Sequence, residues 1–184
     1  MRTLNRWIED THRNAVAHGW WVKPVDDETM AALIVSEWSE ALQEYREKKP
    51  ALYYVAGKPE GVAVELIDGV IRILDYFGQR GITFEKEENG EERNMENAVD
   101  LARECTVIDE MDLRDAAFPI IVTTLIRYTV RGFDDGNFEV WLSAAMYLAL
   151  WYIEEKLKAV PEEILETKHF YNINRPYRHG DKEC

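Results

Sequence analysis

The chain has 184 residues, 46% of them hydrophobic and 31% charged, with a formal net charge of −13. That length allows one domain with a real core, and that hydrophobic share excludes global disorder. The acid excess excludes the broad phosphate-neutralising surface that generic DNA or RNA binding needs, so no nucleic-acid partner is expected.

The opening stretch, MRTLNRWIEDTH, lacks the continuous apolar run of a signal peptide. The longest uncharged run, residues 140–153, is fourteen residues, too short to cross a bilayer. Cys105 and Cys184 match no metal or redox spacing and read as reduced thiols. A cytoplasmic protein without a membrane partner is expected.

In chain order, Leu4, Trp7, Ile8, Thr11 and Ala15 share one helical face, with Gly19 as a stop. A second helix starts at Asp26 or Asp27, either of which can cap it, and ends before Pro50. Pro59 suits the first turn of a third helix, which runs to a Gly81 stop. Residues 84–97 are charged and aperiodic and read as an exposed loop. A weaker helix follows over 95–107. Two apolar helices come next: 118–131, closed by Gly132, and 137–158, capped by Asn137. The β-branched content of 118–130 would also suit a strand, but no partner strand is visible. Pro161 opens a last helix that stops near Asn174, because Pro176 disfavours helix at Arg175. The whole reads as a single all-α helical-bundle domain over 1–184.

The second helix raises a question of charge. In LIVSEWSEALQEYR, residues 33–46, Glu37, Glu40 and Glu44 fall on or beside the stripe that Leu33, Ile34 and Ala41 should bury. On the third helix Glu65, Asp68, Arg72 and Asp75 line up at helical spacing amid apolar neighbours. Consecutive helices on a short connection pack antiparallel, so Glu37, Glu40, Glu65 and Asp68 can converge. Converging carboxylates repel unless a cation sits among them, and oxygen-only ligands suit Mg²⁺ or Mn²⁺. Acid pairs at this spacing arise often by chance in so acidic a chain. Two of them on adjacent, otherwise apolar helices are less easily dismissed.

A di-metal carboxylate four-helix bundle is a weaker alternative, because Glu9-Asp-Thr-His12 and Glu166-Thr-Lys-His169 have the required spacing. Glu9, however, projects away from its helix's apolar stripe and should face solvent.

Glu37-Trp-Ser-Glu40, twenty-four intervening residues and Glu65-Leu-Ile-Asp68 resemble the E-x-x-E…E-x-x-D signature of the MazG-like nucleoside triphosphate pyrophosphohydrolases. That family belongs to the all-α NTP pyrophosphatases. The C-terminal KHFYNINRPYRHGDK resembles the family's ending through Lys168, Asn172, Arg175, Pro176, His179, Gly180 and Lys182, and AVAHGWW resembles its first-helix exit. The likeness covers about 5–80 and 161–182. Residues 83–160 depart from it as an inserted loop and helices before the C-terminal helix.

The resemblance implies Mg²⁺ on Glu37, Glu40, Glu65 and Asp68, with Lys168, Asn172 and Arg175 contacting a nucleoside triphosphate substrate. Lys and Arg suit phosphate oxygens, and an Asn amide reads a polar edge. Arg72 could reach the same phosphates or pair with Asp68 or Asp75. Trp20, Trp21 and Trp38 could stack on a base, though packing is the commoner role; His12 reads as a packed histidine and His179 as pocket rim. The implied reaction is hydrolysis of a (deoxy)nucleoside triphosphate to monophosphate and pyrophosphate, with Glu40 as the general base toward water. The basic face of the last helix would bind substrate and leave the metal alone. The competing class is a non-catalytic α-helical interaction protein whose inward acids pair with Lys168, Arg175 and other cations. The run at 140–153 is apolar on nearly every face, which with the family's habit predicts a homodimer or a dimer of dimers.

Overall fold

Side-chain caps start the first two helices. Thr3 accepts the Arg6 amide ahead of α1 (Leu4–Ala17), and Asp26 accepts the Thr29 amide ahead of α2 (Asp27–Arg46). The computed structural model describes residues 2–87, 90–104, 107–108 and 111–178. Cys105, Cys184, His179, Gly180 and Lys182 lie outside the described residues. Further helices are α3 (Val62–Arg80), α4 (Met95–Glu104), α5 (Phe118–Asp134), α6 (Phe138–Glu155) and α7 (Pro161–Ile173). The all-α expectation holds, and the ambiguous 118–130 segment is helix.

Two small hairpins were not expected. Strands β1 (Tyr53–Val55) and β2 (Lys58–Glu60) pair antiparallel, as do β3 (Val107–Ile108) and β4 (Met111–Asp112). Ala56 and Gly57 both have positive φ, 49° and 83°, the tight two-residue turn that suits a right-twisted hairpin. Pro59 therefore sits in β2 instead of opening α3. The helix waits for Gly61, whose φ of 120° only glycine adopts easily and where a Cβ would lie 2.6 Å from the Pro50 and Ala51 carbonyl oxygens.

Other boundaries moved. Helix α5 continues through Gly132, which packs against Trp141 and Leu142 rather than ending the helix. Helix α4 stops at Glu104 and α6 at Glu155, and Asn137 makes no side-chain cap bond. The loop after α3 is pinned rather than simply exposed. Phe84 is buried, Asn5 exchanges two hydrogen bonds with its backbone, and the Leu4 amide donates to the Arg93 carbonyl.

Helix α3 is the hub and packs on α1, α2, α6 and α7. Asp27 reaches Tyr76 and Arg80 while Glu37 reaches Arg72, so α2 and α3 run antiparallel. They pack tightly at Gly69, where a Cβ would lie 2.3 Å from the Trp38 ring. Helix α6 buries Leu142, Met146, Ala149, Leu150 and Ile153 against α3, α4, α5 and α7. Most of its apolar surface is thus covered within one chain, although Val140 stays 55% exposed. Among the described residues no helix is long and apolar enough to cross a membrane.

Candidate metal and phosphate site

The three acids of α2 separate. Glu37 turns inward and is 7% exposed. Glu44 leans toward Tyr53 of β1, whose phenol is pushed up to about 12 by burial and then by its hydrogen bond with Glu44. Glu40 is exposed and, among the described residues, has no ion-pair partner.

Glu37, Glu65 and Asp68 each bring a carboxylate oxygen into a group within 4.8 Å. Gly69 lets α2 and α3 close to this distance. Glu40, expected as the fourth member, is not in that group, although Glu65 feels its charge. An exposed position one turn beyond Glu37 keeps it at the solvent edge.

Two basic residues occupy this seam. Lys168 of α7, 2% exposed, places Nζ 2.7 Å from Asp68 Oδ2. Arg72 donates from Nε to Glu37 Oε1 at 2.5 Å. Arg72 thus pairs with Glu37, not with the Asp68 or Asp75 expected. Lys168 does not leave the acids alone either; it is their counter-ion.

Glu65 is the exception. It is 5% exposed, and among the described residues it has neither hydrogen bond nor ion pair. Burial, then the neighbouring Asp68 carboxylate, push its pKa up to about 8. Burial also raises Asp68, against the pull of Lys168.

Asp75, fourth along the α3 stripe, is diverted. It accepts from Trp21 Nε1 at 2.8 Å and lies 2.7 Å from His12 Nδ1. Trp38 is fully buried and donates to Thr129 at 3.0 Å, so it is not free to stack on a base. Trp20 is partly buried. The residues of the di-metal alternative do not meet: Glu9 and Glu166 are exposed, His12 holds Asp75, and His169 packs edge-on against Trp7.

Arg175 lies within the field of the seam's Asp68 and Glu37, and Asn172 stands one turn beyond Lys168 on α7. The Asn172 side-chain oxygen is buried without a partner. Arg175 lies beyond the end of α7, its backbone tied to His18, and burial lowers its pKa while Asp68 and Glu37 oppose that. The three tail residues do not share one helix face, because the helix ends at Ile173.

Sequence reading missed the hairpin that borders the site. Strand β2 packs on both α3 and α7, and Lys58 Nζ lies 2.7 Å from Glu60 Oε1. Tyr-Tyr-Val ahead of Ala-Gly, a strand former run meeting a turn, was the available signal. An apolar cavity of about 300 Å³ among Phe84, Ala102, Leu113, Ala144 and Leu148 includes none of these acids.

The donor set fits a hard divalent cation: three carboxylates from two helices, one of them buried and unpartnered. Compared with protein-family models, curated proteins and solved structures, the chain matches none.

Proposed function

We propose that this chain is a Mg²⁺-dependent nucleoside triphosphate pyrophosphohydrolase of the MazG-like type, releasing monophosphate and pyrophosphate. The observation that carries the reading is Glu65. A buried carboxylate without a partner, facing two other carboxylates, costs free energy that a cation would recover. Glu37, Glu65 and Asp68 would hold Mg²⁺, or Mn²⁺, with Glu40 completing the set from the solvent edge. A divalent cation held there supplies charge neutralisation to the phosphates.

The chain's own groups supply the rest. Glu40, exposed and unpaired, takes the proton from water attacking the α-phosphorus. Arg72 and Lys168 stay with Glu37 and Asp68 and lend the seam positive charge that an incoming polyphosphate meets. Arg175 adds a second guanidinium, and the Asn172 amide offers polar recognition. The same resemblance implies a homodimer or dimer of dimers in the cytoplasm, checked by light scattering at micromolar concentration.

One observation favours a second reading. Lys168–Asp68 and Arg72–Glu37 are the pairs expected of a non-catalytic interaction protein with a structural ion-pair seam. Such a seam does not account for Glu65. Assaying pyrophosphate release from a panel of (d)NTPs with Mg²⁺ tests the choice. Release from at least one supports the enzyme; no release from any, with no stoichiometric Mg²⁺ or Mn²⁺ binding by calorimetry, overturns it.

A further inference from the structure

Both basic residues of the acid seam are already committed to an acid. Asp68 is matched by Lys168 and Glu37 by Arg72, while Glu65 is unmatched. A polyphosphate therefore needs a cation that can move to it without stripping a buried acid. Lys168 is poorly suited: its side chain is 3% exposed, and leaving Asp68 uncovers that acid.

Lys58 differs on each count. Its strand packs on both the helix that carries Glu65 and Asp68 and the helix that carries Lys168 and Asn172. The strand is fixed from both sides, by the buried ring of Pro59 and by Gly61, which no other residue could replace without striking the Pro50 and Ala51 carbonyls. The side chain itself is free to move, being 39% exposed and resting on Glu60 of the same strand. Its partner Glu60 keeps 19% of its side chain in contact with solvent, so releasing it leaves no fully buried acid unpaired. The fields of Glu65 and Asp68 are felt at the Lys58 ammonium, as proximity to the seam requires.

We infer that Lys58 is a substrate-binding residue that leaves Glu60 for the polyphosphate chain of a nucleotide seated over Glu37, Glu65 and Asp68. Lys168 then acts as the fixed counter-ion of the acids. The inference rests on the nucleotide reading above.

The test is calorimetric titration with inorganic pyrophosphate in the presence of Mg²⁺, alongside steady-state hydrolysis. Lys58→Met should weaken pyrophosphate about tenfold and raise KM with little change in kcat. Lys58→Arg should restore most of the affinity. Glu60→Gln, which frees the ammonium, should leave affinity equal or higher. Unchanged pyrophosphate affinity in Lys58→Met overturns the assignment while leaving the enzyme reading intact. Equal losses in Lys58→Met and Lys58→Arg with a lowered Tm also overturn it, because that marks a structural role. If the unsubstituted chain hydrolyses no (d)NTP, the nucleotide reading falls and this assignment with it.

Discussion

Helices α3 and α6 look alike in sequence, each apolar on nearly all sides, yet the fold treats them differently. Helix α6 is enclosed by α3, α4, α5 and α7, and its buried stretch carries no charged residue. Helix α3 is equally enclosed but buries Glu65, half-buries Asp68 and sets Arg72 against Glu37. Apolar surface is satisfied by any close-packed neighbour, and most of α6 finds one within its own chain. Carboxylates are satisfied only by specific partners, and α3 leaves one without.

The largest expected contrast is catalytic. Glu37→Gln, Glu65→Gln and Asp68→Asn should each cut (d)NTP turnover by about 10²-fold or more without loss of helical circular dichroism. Ser143→Ala on α6, which removes a buried hydroxyl lacking a hydrogen bond of normal geometry, should leave turnover within about twofold. Near-normal turnover in any two of the acid variants would dissolve the distinction between the helices.

Stability sharpens it next. Lys168→Ala should destabilise the metal-free protein by about 3–5 kcal/mol, because it strands Asp68. Met146→Ala on α6 should cost a comparable 2–5 kcal/mol, by about the usual cavity penalty. The two differ in repair: Asp68→Asn should recover much of the Lys168→Ala loss in urea unfolding, whereas nothing on α3 repairs Met146→Ala. Strict additivity of Lys168→Ala with Asp68→Asn would show that the pair is not coupled.

A smaller effect is pH-dependent. Glu65 keeps its proton in the folded chain up to about 8, against an unfolded value of 4.5, so the folded state binds more protons between these limits. Glu65's contribution to the stability of the chelator-treated protein should therefore be full below 4.5 and decline as pH rises toward 8, read as the Tm difference from Glu65→Gln. Glu65→Gln should flatten that slope. Divalent-metal affinity should rise over the same interval, because binding must expel the proton. A slope unchanged by Glu65→Gln would assign it elsewhere.

The smallest effect tests the packing between the regions. Thr129→Val keeps the side-chain volume but removes the acceptor of the Trp38 indole N–H, and should cost about 1 kcal/mol. A much larger loss would mean that α5 helps hold the α2–α3 seam closed.

Much of this molecule was legible from residue order. Helical periodicity and capping residues located the helices because both are local effects: Asp26, Gly81 and Pro161 act within a turn of where they stand. The inward acids on α2 and α3 were also legible, since three- and four-residue spacing fixes which side chains share a face. Boundaries went astray where a distant contact prevailed, as at Gly132, held by Trp141, and at Gly61, crowded by the Pro50 and Ala51 carbonyls.

The sequence by itself determined that carboxylates would face the interior of a helical bundle, because burial follows periodicity. Only the tertiary structure decided which partners they meet. Arg72 took Glu37, Lys168 took Asp68, Asp75 went to His12 and Trp21, and Glu40 stayed at the solvent edge. Those choices depend on how α2 and α7 sit against α3 and on a hairpin packed on α3 and α7, distances across the chain that no local pattern encodes. Among the described residues they left Glu65 a buried acid without an ion pair, and packing rather than spacing made it the residue on which the proposed chemistry turns.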